Sequence, residues 1–362
     1  MGKWIKRILI GLGVFVTIAG GAISILMFEE ASTPDFVDEN GRRPKNSIAE
    51  MRWVNIGGID QFLLVRTRDK SNPPMIVIHG GPGSPEGEVF RAYNSALEDH
   101  FSVVHWHQRG AGWTFTGSER AEDLAVDKFV SDLGELVDYT FNEFGEQKIF
   151  LLGHSWGSFL GIRYVRDHPE KIAAYIGVGQ VTDMVESEQR GCDYILEQAQ
   201  AANDLDDIEE ISSFCRPPFT KDYVLKQRAY LTKYGGDMLG DLTMLGMVQE
   251  AWTQPEVTLP FLVRLMRGSL RSLDFMWDDL MTVNFFDEPK SFEAPIHFVL
   301  GRGDYQVSAT LAAEYFEQID APCKSLKWFE ASGHNPMFEE PQAFNDYLIN
   351  EIRPGVCEAA KE

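Results

Sequence analysis

The chain of 362 residues predicts an α/β protein: a mostly parallel eight-stranded sheet with helices on both faces, an inserted helical cap and an N-terminal transmembrane helix. Three observations carry this reading. Short apolar runs alternate with longer amphipathic stretches along most of the chain, the pattern of parallel strands joined by crossover helices. That rhythm breaks between Gln180 and Pro295, where helical patterns rich in Met, Trp, Phe and Leu replace it. One uncharged apolar run, Ile8 to Phe28, stands by itself at the start.

Taken in order, residues 1–30 form a cytoplasmic tip and membrane anchor. Ile8–Phe28 has 21 residues, which as a helix is about 30 Å and spans a bilayer. Lys3, Lys6 and Arg7 precede it and Glu29 and Glu30 follow, so the positive flank keeps the start inside and the bulk of the chain outside. A cleaved signal peptide is the competing reading, but Ala19-Gly20-Gly21 makes a poor cleavage site with further apolar residues after it. Residues 31–50 are polar and read as a linker. The core then occupies 51–179 and 295–354, and the cap 180–294.

The core opens with a hairpin, Arg52–Ile56 and Asp60–Val65 about Gly57-Gly58. Its further strands are Met75–Ile78, Phe101–Trp106, Ile149–Leu152, Ile172–Val178, Ile296–Leu300 and Ser325–Phe329. Helical patterns cover Asp127–Phe144, Leu311–Ile319 and Phe344–Ile352. A structureless insertion as long as 180–294 is implausible, and Tyr223–Tyr234 and Leu259–Leu273 show helical spacing within it.

Composition excludes some functions. With 33 basic against 55 acidic residues the net charge is −22, the opposite of what phosphate neutralisation needs, so no nucleic-acid partner is expected. The acidity fits either attraction of cationic substrates or solubility. Four cysteines, Cys192, Cys215, Cys323 and Cys357, lack metal-type spacing. Outside the cytoplasm the sequence-near pairing is Cys192 with Cys215 and Cys323 with Cys357, although three connectivities, or unpaired thiols, fit as well.

The chemistry is concentrated on loops that follow strands. Gly153-His154-Ser155-Trp156-Gly157 comes directly after Ile149–Leu152 and before a helical stretch, so Ser155 sits at the tip of a sharp strand-to-helix turn with its hydroxyl exposed. His79-Gly80-Gly81-Pro82-Gly83 follows Met75–Ile78 in the same way. A serine needs a base to take its proton and an acid to orient that base. Asp304, in Gly301-Arg-Gly-Asp304 after Ile296–Leu300, and His334, after Ser325–Phe329, fall in the required order of serine, acid, histidine. The oxyanion donors expected are the backbone amides of Trp156 and Gly81, with Gly80 as the alternative to Gly81.

His79-Gly-Gly-Pro-Gly83, His107-Gln-Arg-Gly110, Gly153-His-Ser-Trp-Gly-Ser158 and Gly333-His334 together resemble the proline iminopeptidase branch (peptidase family S33) of the α/β-hydrolase superfamily. The likeness covers the core; the cap matches only in position and helical character. It implies a serine peptidase that removes amino-terminal residues, often proline, with cap glutamates holding the free amine of the substrate. Glu186 and Glu188 closely follow the sixth strand, Ile172–Val178, and are the candidates for that role. The chain departs from the family at His107, where Asp is usual. His105 and His107 share one face of a strand, but zinc needs three or four ligands, so structural histidines are expected and neither metal nor cofactor is. An esterase or amidase for uncharged acyl groups is the alternative within the fold, and a non-catalytic binding protein the alternative outside enzymes. Halide- and epoxide-cleaving relatives carry Asp at the elbow, against Ser155. The substrate expected is a peptide or a small amide or ester.

Overall fold

A computed structural model describes residues 27–355. Eight strands form one sheet: β1 (Ile48–Ile56), β2 (Ile59–Thr67), β3 (Pro74–Ile78), β4 (Ser102–His107), β5 (Ile149–His154), β6 (Ile172–Val178), β7 (Ile296–Gly301) and β8 (Lys324–Phe329). Their spatial order is β1-β2-β4-β3-β5-β6-β7-β8. The β1–β2 and β2–β4 pairs are antiparallel and every later pair is parallel.

Strands buried on both faces explain why the runs read as nearly continuous apolar segments. Alternate side chains serve opposite layers. Ile76, Ile78 and Leu151 join a core with Trp106, Leu133 and Tyr175, beneath the helices Val126–Glu143 and Trp156–Asp167. Met75, Val77 and Leu152 face the other way, toward Phe101, Phe338 and Phe344.

Between β6 and β7 the described residues contain no named strand. Five helices fill the interval: Met184–Ala201, Leu205–Phe214, Lys221–Tyr234, Met244–Trp252 and Leu259–Leu280. Asp183, Asp204, Thr243 and Thr258 cap four of them by accepting an amide hydrogen bond from the first turn. A disulfide joins Cys192 to Cys215. Cys357, expected opposite Cys323, lies outside the described residues.

At the amino-terminal side one expectation falls outside the described residues and one changes. All but the last two residues of Ile8–Phe28 lie outside the described residues, and no described helix is long and apolar enough to cross a membrane. The segment 31–47 lies on the core instead of standing off it. Arg66, buried beside Glu98, reaches out to the Thr33 hydroxyl and the Pro34 carbonyl, and its guanidinium lies 4.6 Å from the Phe36 ring centroid. Thr33 in turn donates to Glu256, at the foot of the cap. Strand β1 begins at Ile48 because its register against β2 runs unbroken from Ile48–Thr67 to Ile56–Ile59.

Candidate active site

The carboxyl ends of β3 to β8 deliver their loops to one edge of the sheet, as open α/β sheets do. The glycine loop follows β3, Gln108 follows β4 and Ser155 follows β5. Gly179 follows β6, Asp304 β7 and His334 β8.

Ser155 has φ +51° and ψ −119° and caps the helix that begins at Trp156. A side chain in that region is strained and persists only where neighbours hold it. They do so here. The Ser155 amide donates to the Val178 carbonyl, and its carbonyl accepts from the Ser158 hydroxyl at 2.6 Å. Gly157 is obligatory, since a Cβ there would lie 2.0 Å from the Ile78 carbonyl oxygen.

The glycine loop is tied to this elbow through Gln108. Its side-chain amide donates to the His79 carbonyl, and its side-chain oxygen accepts from the Trp156 indole at 2.8 Å. His79 donates from Nδ1 to the Gly80 carbonyl at 2.7 Å. Complete burial holds its pKa down at about 3, so the ring is neutral. Gly81 has φ +119°, and a Cβ on it would meet the Gly83 amide nitrogen at 2.6 Å. Among the described residues no backbone acceptor takes the Gly81 or the Trp156 amide, which leaves both as available donors beside Ser155.

His334 and Asp304 meet as the motif order expects. Nδ1 of His334 donates to Asp304 Oδ2 at 2.8 Å, and the other carboxylate oxygen accepts from the amides of Gln306 and Val307 at 3.0 and 2.9 Å. Both side chains are buried. The remaining ring nitrogen, Nε2, is buried and has no hydrogen-bond partner among the described residues. His334 and Ser155 line one cavity of about 350 Å³, together with Gly80 and Gly81.

Other residues hold this edge that the motifs do not single out. The Glu339 carboxylate accepts from the amides of Gly333, Asn335 and Leu239, fixing the turn that carries His334. Burial raises its pKa despite those donors. His154 places Nδ1 3.0 Å from Glu86 and Nε2 3.2 Å from the His334 carbonyl. Two acceptors on one ring mark an imidazolium. Burial alone would lower its pKa, but the Glu86 carboxylate and the His334 carbonyl raise it above the ordinary value. Glu86 and Glu88 closely follow the glycine loop, in Ser84-Pro-Glu-Gly-Glu88, and that nearness is the one sequence signal they carry.

Glu186 and Glu188 stand elsewhere, and neither lines the cavity. Glu186 is exposed and pairs with Arg190 at 2.9 Å, one helical turn on. Glu188 is buried in a 2.6 Å ion pair with Arg228 and also accepts from the Tyr223 hydroxyl. The helix Met184–Ala201 turns one outward and the other into the cap interior. His105 packs on Phe90 and His107 on Phe62. Arg109 makes a bidentate pair with buried Asp132, both contacts at 2.7 Å, and serves the core.

Residues 73–341 match the family model for the alpha/beta hydrolase fold. The chain belongs to this family. It is a hydrolase, and its curated likenesses fall in the aminopeptidase branch of the α/β-hydrolases. A protein named probable aminopeptidase YbaC, from Bacillus subtilis, is 29% identical over 317 residues, covering 85% of this chain and 98% of that protein. The proline iminopeptidase of Thermoplasma volcanium is 27% identical, covering 86% of this chain and 99% of its own length. Among solved structures, the proline iminopeptidase of Mycobacterium smegmatis superposes with a TM-score of 0.64 at 20% identity, over 84% of this chain and 98% of that one. An esterase from Exiguobacterium antarcticum superposes at 0.56 with 15% identity, over 84% and 100%. At such identities the likeness is one of fold, common to peptidases and esterases alike.

Proposed function

We propose that this hydrolase is a serine aminopeptidase of the proline iminopeptidase type, acting through an acyl-enzyme on Ser155. The observation that carries the reading is His334, bonded to Asp304 through Nδ1 while Nε2 is buried, unpartnered and at the cavity that Ser155 lines. In the proposed reaction Nε2 takes the Ser155 proton as the hydroxyl oxygen attacks the carbonyl carbon of the first peptide bond. The amides of Gly81 and Trp156 receive the oxyanion. The imidazolium, steadied by Asp304, then gives its proton to the leaving amine as the C–N bond breaks. Water deprotonated by the same nitrogen attacks the ester, releases the amino acid and restores the serine.

The peptidase names of the relatives support the choice of substrate. The apolar walls of the cavity, including Met247, Phe261 and Leu262, favour a second reading, an esterase or amidase for uncharged acyl groups. A free-amine aminoacyl-arylamide and its N-acetylated twin separate the two. The aminopeptidase loses most of its turnover on acetylation; equal rates would establish the esterase or amidase.

For its setting, the Ile8–Phe28 run with its basic leading flank supports a single-pass anchor with the catalytic domain outside the cytoplasm. The Cys192–Cys215 disulfide is in keeping with an oxidising compartment.

A further inference from the structure

The cavity that holds Ser155 is lined by three carboxylates, Glu86, Glu88 and Asp237, and by no lysine or arginine among the described residues. Two of the three are accounted for. Glu86 faces the His154 imidazolium. Asp237 accepts from the Thr232 hydroxyl and the Met238 amide. Glu88 is different. It is 1% exposed, and among the described residues neither of its carboxylate oxygens has a hydrogen-bond partner.

The nearby polar group that could serve Glu88 is His107, with Nε2 3.2 Å from Oε1 but not aligned for a hydrogen bond. Nδ1 of His107 accepts from the Trp113 amide at 3.2 Å. A ring that accepts at Nδ1 carries its single proton on Nε2 and is neutral. Among the described residues Glu88 therefore has no cation paired with it. A carboxyl group buried without a counter-charge is disfavoured as the ion, and a ligand that brings a cation to it stabilises that ion.

We propose that Glu88 is the receptor for the substrate's ammonium group, so that amine recognition sits in the first turn of the helix Gly87–Asn94, just after the glycine loop, and not on the cap. This deepens the aminopeptidase reading and rests on it. The ligand class is a peptide or amide with a free primary or secondary amine on its first residue. Val89, Met247, Phe261, Leu262 and Phe338 form an apolar wall for the side chain of that residue. Having His107 where the family usually has Asp fits the same picture. An aspartate there would set a second carboxylate against Glu88, whereas a neutral imidazole N–H does not.

The test is a ratio. Phenylalanine p-nitrophenyl ester and 3-phenylpropionate p-nitrophenyl ester differ in the amine alone, and kcat/KM is measured on both for the wild-type protein and Glu88→Gln. The ratio of amine to des-amino substrate should exceed one in the wild type and fall about 30-fold or more in the variant. A purely structural role would lower both rates together and leave the ratio in place, which overturns the proposal while the aminopeptidase reading stands. A wild-type ratio near one overturns both. Should Glu88→Gln not fold, a crystal structure of the wild-type protein with an α-aminoalkyl phosphonate on Ser155 decides the matter. An ammonium nitrogen within hydrogen-bond distance of Glu88 supports the proposal, and one seated on another carboxylate refutes it.

Discussion

Replacing Asp304 with Asn changes one atom of the site and tests how the histidine is held. One oxygen of Asp304 accepts two backbone amides, from Gln306 and Val307, and the other accepts Nδ1–H of His334 at 2.8 Å. An asparagine has to keep its carbonyl oxygen toward the two amides, because an NH2 group there would face two donors. Its NH2 is thereby directed at Nδ1, which then accepts, and the ring proton moves to Nε2. In the proposed mechanism that is the atom that has to be bare to receive the Ser155 proton. The loss therefore falls on kcat and amounts to a factor of about 10⁴, or roughly 5 kcal/mol of barrier. KM stays within a few-fold, since the cavity walls are untouched. The assay is steady-state hydrolysis of an aminoacyl-arylamide by Asp304→Asn and wild type, with thermal melts to show that both are folded. A folded variant that loses less than about tenfold in kcat would refute the assigned tautomer and the role of Asp304 with it.

Two further outcomes follow from the same geometry. Gly81→Ala forces a Cβ to within 2.6 Å of the Gly83 amide at a φ of +119°, displacing the proposed oxyanion donor. Stopped-flow acylation should slow by about 10² to 10³, and an unchanged acylation rate would move the oxyanion hole elsewhere. Acid should weaken the fold, because burial holds His79 and His105 at about 3 and His297 at about 4. The unfolded chain binds those protons near pH 6.5 while the native one does not, so stability is full above that pH and is lost as pH falls from 6.5 toward 4. Each histidine contributes a slope of about 1.4 kcal/mol per pH unit. Urea unfolding midpoints across that range provide the check. A stability that holds level or rises on acidification contradicts the buried, neutral state of these rings.

Much of the core was legible because its strands are buried on both faces, which leaves little room for polar residues within them. Ile149–Leu152 and Ile296–Leu300 needed only local composition to be placed, and Ser155, Asp304 and His334 were singled out as candidates by their position just past such runs. The hairpin was shorter in the sequence than in the structure, since pairing carries β1 back to Ile48 through polar residues such as Glu50. The fate of acidic side chains was not legible. Glu186 and Glu188 are two positions apart and diverge, because helix phase sends one to solvent and the other to Arg228, forty residues along the chain. Glu88 was overlooked for the converse reason. Nothing local shows that its neighbours leave it without a cation, and that becomes visible only when β4 brings His107 against it.

The most direct test of acyl transfer at Ser155 is intact-mass and peptide mapping of the protein quenched within milliseconds of mixing with a free-amine aminoacyl p-nitrophenyl ester. An aminoacyl adduct on the peptide bearing Ser155, absent in Ser155→Ala together with all turnover, is the expected result. Sustained hydrolysis by Ser155→Ala, or an adduct on another residue, would contradict it.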